Sequence, residues 1–177
     1  MTPATSAIPP ACLEVITPLI RTARALLEDG EALVPVALVG SLETGRTIPV
    51  MMNAASEEAK DGSALVLKRA AESIDADFVF VMMEAWSLRP DKARDYQAIL
   101  ARYGSIGQSP YKVDIVSMVL ETSHGVWLAQ VPIKPSGDSR KRRSFGEPDF
   151  VRCDGMAGRF TGLLPKNKRG AEPTTLH

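Results

Sequence analysis

The sequence predicts one α+β domain with a mostly antiparallel sheet, in the element order αββαβ(α)βββ. The chain has 177 residues, of which 45% are hydrophobic, as is typical of a single globular domain. Apolar side chains recur at helical spacing in two segments, and short turns join most of the other apolar runs. Because short turns join antiparallel neighbours, whereas parallel strands need crossovers of about a dozen residues, we expect an antiparallel sheet with two helices packed on one face.

Two amphipathic segments predict the helices. Residues 11–29 carry apolar side chains at helical spacing and stop before Gly30, a typical helix-ending residue. Residues 54–74 contain Ser56 as a candidate N-cap, followed by two acidic residues in the first turn. An Asp-Gly pair inside this segment leaves a later start at Ser63 open.

The remaining apolar runs predict the strands. They cover residues 34–42, 47–52, 78–88, 111–122 and 125–133, with an edge strand at 144–152 and a possible last strand at 156–164. The fourth and fifth runs are separated only by Ser-His, which predicts a tight hairpin. Trp86 and Trp127 lie on these strands, and we expect both to anchor the core.

The ends of the chain differ in composition from the middle. Residues 1–9 predict a flexible N-terminus and residues 165–177 a disordered tail, which leaves 10–164 as the domain. No apolar run approaches the ~20 residues of a membrane helix. Cys12 and Cys153 are far apart and indicate reduced thiols, so we expect a cytoplasmic protein with no membrane role.

Two short motifs are expected to be structural. The stretch from Gly40 to Thr47 differs by one residue from a phosphate-binding loop, but Arg46 replaces the lysine and a strand follows where that loop needs a helix. Ser123-His124 is a turn dipeptide in which the two side chains cannot easily face one another for catalysis. With two histidines in the chain and no ligand-like spacing, the sequence predicts no metal site and no cofactor.

Three carboxylates on strands are the candidate catalytic residues. Glu84, Asp114 and Glu121 lie on or at the ends of strands of one predicted sheet. Acids gathered on a sheet can bind Mg²⁺ or act as general acid and base. Strand alternation, however, puts Asp114 and Glu121 on opposite faces unless a bulge intervenes.

Glu84 is unusual because it lies inside an apolar run, and a structural role is the favoured interpretation. An ionised carboxylate that leaves water needs a partner. Arg89 and Arg102 are the partners that the sequence suggests. Replacing Glu84 by glutamine should then lower the melting temperature.

A basic loop follows the predicted hairpin. Residues 1–133 hold 11 basic and 16 acidic residues, whereas 134–177 hold 10 basic and 5 acidic ones, so the two parts carry balances of −5 and +5. Clustered Lys and Arg are typical of polyanion binding, although a solvated hairpin loop remains open. The candidate polyanion-binding residues are Lys134, Arg140, Lys141, Arg142 and Arg143.

One part of the chain resembles a group of small bacterial, phage and plasmid α+β proteins. The matching features are a strand that ends in Glu84-Ala85-Trp86, a linker that contains Arg, Asp and Pro, and a hairpin whose first strand ends near Glu121. The resemblance covers about residues 55–150. It implies a small α+β fold and a mobile-element context, and it supplies no catalytic residues.

Three functions are compatible with these features. The first is a non-enzymatic binding or accessory protein that acts through its sheet surface or basic loop. The second is a nucleic-acid-binding module that uses residues 134–143. The third is a metal-assisted hydrolase or nuclease that uses Glu84 and Glu121.

Overall fold

The computed structural model describes residues 7–153 and 155–169. Its helices and strands follow in chain order as α1 (Pro10–Glu28), β1 (Val36–Gly40), β2 (Thr47–Met51), α2 (Glu57–Ser73), β3 (Phe78–Leu88), α3 (Tyr96–Tyr103), β4 (Lys112–Thr122), β5 (Gly125–Pro135), β6 (Arg143–Phe145) and β7 (Val151–Arg152). Short 3-10 turns cover Pro90–Asp95, Ile106–Gln108 and Lys166–Lys168.

The strands form an antiparallel sheet in the order β2-β1-β3-β4-β5-β6, and β7 also pairs with β5. Every pairing between the described strands is antiparallel. Strands β3 and β4 pair over their full lengths, from Phe78 opposite Thr122 to Leu88 opposite Lys112. The α+β class and the mostly antiparallel sheet are therefore confirmed.

The end of the sheet differs from the prediction. Residues 144–152 do not form one edge strand, because β6 and β7 pair with separate parts of β5. Residues 156–164 form turns rather than a last strand. Two Leu residues of this segment, Leu163 and Leu164, are buried in the core, which explains why its apolar content resembled that of a strand.

The two long helices pack on opposite faces of the sheet, so the prediction that they share one face is wrong. Side chains alternate along a strand, and β3 is buried on both faces from Phe78 to Met82. Helix α1 covers the face that carries Phe80 and Met82. Helix α2 covers the face that carries Val79 and Val81.

Helix α2 begins at Glu57, so the later start at Ser63 is wrong. The Ser56 hydroxyl accepts a hydrogen bond from the Ala59 amide at 3.0 Å. This capping bond satisfies one of the free amides of the first turn. Gly62 lies inside the helix and does not interrupt it.

Both cysteines are free. Cys12 lies on the buried face of α1, and burial, with a smaller contribution from the charge of Asp77, raises the pKa of its thiol to about 11. Cys153 is partly exposed, and its thiol donates to the Val151 carbonyl at 3.5 Å. Among the described residues, no helix has the length and apolar character needed to cross a bilayer.

Residues 155–169 form a C-terminal segment that folds back onto the domain. Residues 165–169, which the composition assigns to a disordered tail, include the turn Lys166–Lys168. The Lys168 ammonium lies 2.9 Å from an oxygen of Asp77, and this hydrogen bond raises the pKa of Lys168. The rest of the predicted tail, and most of the predicted flexible N-terminus, lie outside the described residues.

Candidate functional site

The basic loop, residues 134–143, comprises the last two residues of β5, the connecting residues 136–142 and the first residue of β6. Its ends are tied together where the Ser136 amide donates to the Arg142 carbonyl at 2.9 Å, and the Arg142 amide donates to the Ser139 carbonyl at 3.3 Å. Four of the five candidate polyanion-binding side chains are exposed, namely Lys134, Arg140, Lys141 and Arg142. The loop therefore presents positive charge to solvent on a closed hairpin.

Arg143 is the exception, because it forms a two-pronged ion pair with Glu84. Its Nη2 lies 2.9 Å from Oε1 and its Nη1 lies 3.1 Å from Oε2. This hydrogen bonding raises the pKa of the Arg143 guanidinium. Glu84 also accepts the Leu33 amide at 3.3 Å. The pair thus joins the base of the basic loop to β3 and to the connection between α1 and β1.

The predicted partners of Glu84 are wrong, although its structural role is supported. Arg89 pairs instead with Asp91 at 2.8 Å. The Arg102 guanidinium lies 5.3 Å from the ring centre of Tyr103. The partner of Glu84 comes from 59 positions further along the chain, which no local pattern indicates.

We expect Glu84→Gln to lower the free energy of unfolding by about 1 kcal/mol. Both side chains of the pair keep 31% of their exposure, so the loss should stay well below the ~3–5 kcal/mol of a fully buried pair. Thermal denaturation should register a decrease of about 2–4 °C.

Glu147→Gln provides the matched control for this substitution. Glu147 pairs with Arg24 at 3.2 Å, but its side chain is 86% exposed. The control should change stability by less than about 0.5 kcal/mol. A Glu84→Gln variant that melts at or above the wild-type temperature would contradict the structural role.

Asp114 lies on the same face of the sheet as Glu84. It pairs across β3 and β4 with Trp86, and Glu84 pairs with Val116 in the same register. Asp114 is exposed and lines an open depression of about 420 Å³ whose other walls include Lys134, Arg140 and Arg143. The depression therefore places one carboxylate against the basic loop.

Glu121 lies on the opposite face and is 5% exposed. Its Oε1 accepts the amides of Leu163 and Leu164, each at 2.9 Å, and its Oε2 accepts the Gly162 amide. The carboxylate therefore holds the C-terminal segment on the sheet. Among residues 7–153 and 155–169, no group of three or more His, Cys, Asp or Glu side chains has an arrangement suited to a metal ion.

Trp86 is 56% exposed, so the prediction that it anchors the core is wrong, whereas Trp127 is 1% exposed as predicted. Strand β3 is fully buried from Phe78 to Met82 and exposed at Trp86, and its last residue, Leu88, is buried again. The Lys112 ammonium lies 5.0 Å from the centre of the Trp86 ring. The sequence predicted a core role for Trp86 and did not single out Lys112. The polar start of β4 opposite Trp86 is a sequence signal that this end of the strand is exposed.

Both short motifs lie in turns between antiparallel strands, as predicted. Gly40 ends β1, Thr47 begins β2, and the two strands form an antiparallel hairpin where a phosphate-binding loop needs a helix. His124 is exposed in the β4–β5 turn. Its amide donates to the Thr122 hydroxyl at 3.0 Å, which stabilises the turn.

Comparisons with known proteins identified no relative. No family model, no curated protein and no solved structure matches this chain.

Proposed function

We propose that this chain is a non-enzymatic binding protein that holds a polyanion on its basic loop. One observation carries the proposal: the strand acids Glu84 and Glu121 have structural partners, whereas four cations of the basic loop face solvent. Exposed Lys and Arg clusters attract phosphate-rich polymers because binding releases the counterions condensed on them.

The alternative of a metal-assisted hydrolase or nuclease is less well supported. Such chemistry needs carboxylates that converge on one reacting atom. Glu84 and Glu121 belong to opposite faces of the sheet, the first paired with Arg143 and the second bound to three backbone amides. Each would have to give up these contacts before it could act on a substrate.

The depression is lined by charges of both signs, and the excess of positive charge belongs to the loop as a whole. Lys134, Arg140 and Arg143 line the depression together with Asp114 and Asp138. The ion pair with Glu84 compensates the charge of Arg143. Lys141 and Arg142 are exposed on the same loop, where Asp138 is the only acid among residues 134–143, so the loop keeps an excess of cations.

The double substitution Arg140→Ala with Arg142→Ala tests this proposal. Binding of a fluorescent oligonucleotide of about 12 nucleotides would be measured by anisotropy between about 50 and 200 mM salt. We expect the double variant to bind more weakly. A plot of log K against log salt has a negative slope. We also expect this slope to become shallower by about 1.4 when two contacts to a single strand are lost.

Arg46→Ala with Arg69→Ala is the matched control, because it removes the same charge from exposed positions on the β1–β2 turn and on α2. The control should retain the wild-type salt slope. No binding by the wild type, or equal affinity and slope in both double variants, would overturn the proposal.

A further inference from the structure

We propose that the polyanion is a single-stranded nucleic acid, one base of which stacks on Trp86 while the adjacent phosphates contact the basic loop. This inference rests on the proposed function and adds the class of partner. Single strands are bound by combining a positively charged groove with aromatic rings that stack on unpaired bases. The structure brings both features to one end of the sheet.

The Trp86 ring is exposed but held in place. A Cβ added at Gly107 would lie 2.6 Å from Cε3 and Cζ3 of the ring, so the backbone of the turn Ile106–Gln108 packs directly against it. The residue is nevertheless 56% exposed. A ring fixed in this way loses little freedom when a ligand binds, which favours affinity.

The ring lies beside the basic loop through Asp114. Trp86 and Asp114 are cross-strand partners, which puts their Cβ atoms about 5 Å apart. Asp114 in turn lines the same depression as Lys134 and Arg140. A strand whose base covers Trp86 therefore has its sugar-phosphate backbone within reach of the loop cations.

The charges near the ring fit a nucleotide better than a bare phosphate. The Lys112 ammonium, 5.0 Å from the ring centre, is on a flexible side chain that can turn from the ring to a phosphate when a base takes its place. The Asp114 carboxylate repels phosphate but can accept a hydrogen bond from the exocyclic amino group of a base. A duplex cannot place the face of a base on the Trp86 ring, because its bases are stacked on one another and paired.

The test compares strands that differ only in their bases. Wild-type protein would be titrated with a single-stranded oligonucleotide of about 12 nucleotides, with an abasic strand of the same length and charge, and with the duplex. We expect the oligonucleotide to bind more tightly than the abasic strand by about 5- to 150-fold, the range for one stacked base. The duplex should bind more weakly than the single strand.

Trp86→Ala should bind the oligonucleotide and the abasic strand with equal affinity. Trp86→Phe should retain part of the preference for the oligonucleotide. Because Trp127 is buried, quenching of tryptophan fluorescence by the oligonucleotide should come from Trp86 and disappear in Trp86→Phe. Circular dichroism and thermal melting establish that both variants are folded. If the alanine variant is not folded, the phenylalanine variant still tests the contribution of the Trp86 ring.

The outcomes separate this inference from the proposed function. Equal binding of the oligonucleotide and the abasic strand, unchanged in Trp86→Ala, would overturn base stacking and leave polyanion binding in place. Tighter binding of the duplex than of the single strand would also overturn base stacking and leave polyanion binding in place. If the wild type binds none of the three probes, both proposals are wrong.

Discussion

Replacing Glu121 by glutamine is expected to lower the free energy of unfolding by about 3 kcal/mol, the upper end for a lost charged hydrogen-bond acceptor. The carboxylate is 5% exposed and accepts three consecutive backbone amides, those of Gly162, Leu163 and Leu164. Glutamine has nearly the same shape and keeps one acceptor oxygen, but its NH2 group replaces the other oxygen with a donor that faces a backbone amide.

The melting temperature of Glu121→Gln should fall by about 6–12 °C. Amide hydrogen exchange should locate the change. Relative to the wild type, the exchange rate should increase more at Leu163 and Leu164 than in the β3–β4 pair. Glu72→Gln is the matched control, because Glu72 is exposed on α2 and should change stability by less than about 0.5 kcal/mol. Equal melting of the two variants would show that the carboxylate does not hold the C-terminal segment.

Other charged contacts are expected to leave this segment partly attached in the Glu121 variant. Arg159 pairs with Asp61 at 2.7 Å and with Glu57, both on α2. Lys168 lies 2.9 Å from Asp77. Glu57 and Asp61 are largely solvated, and exposed ion pairs contribute little. The side chains of Lys168 and Asp77 are 20% and 19% exposed. The Glu121 carboxylate is 5% exposed and is the most buried of these polar contacts.

The sequence predicted the sheet well because its signals are local. The hairpin of β4 and β5 followed from two apolar runs with a two-residue turn, and the structure pairs Thr122 with Gly125 as a tight hairpin requires. Alternation along β4 also put Asp114 and Glu121 on opposite faces, as the structure has them. Such features depend on residues that are close in the chain.

The candidate site was less predictable because its contacts are distant in sequence. Glu84 and Arg143 were chosen for different reasons, as a strand acid and as a loop cation, and nothing local indicated that they pair. Trp86 was expected in the core because its strand is apolar, but the buried cluster that packs on α1 includes Phe78, Phe80 and Met82 and does not extend to Trp86. Burial depends on what packs above a residue, and the faces that α1 and α2 cover are set by tertiary packing.

Gly40→Ala is expected to destabilise the protein by about 3 kcal/mol, the upper end for overpacking a core. An added Cβ would lie 2.3 Å from Cε1 and Cζ of the Phe78 ring. Phe78 is 1% exposed and pairs with Gly40 across β1 and β3, so the ring has no free space into which to move. This glycine resembled the first residue of a phosphate-binding loop, but the structure uses it to admit an aromatic ring.

Gly62→Ala is the matched substitution for Gly40→Ala, since it adds the same methyl group where no atom lies within 4 Å. Gly62 is inside α2, where alanine is favoured over glycine by about 1 kcal/mol. Chemical denaturation of the two variants should therefore give changes of opposite sign, a loss at Gly40 and a gain at Gly62. If Gly40→Ala is as stable as the wild type, the close contact between β1 and the Phe78 ring is wrong, and with it the packing of β1 against β3.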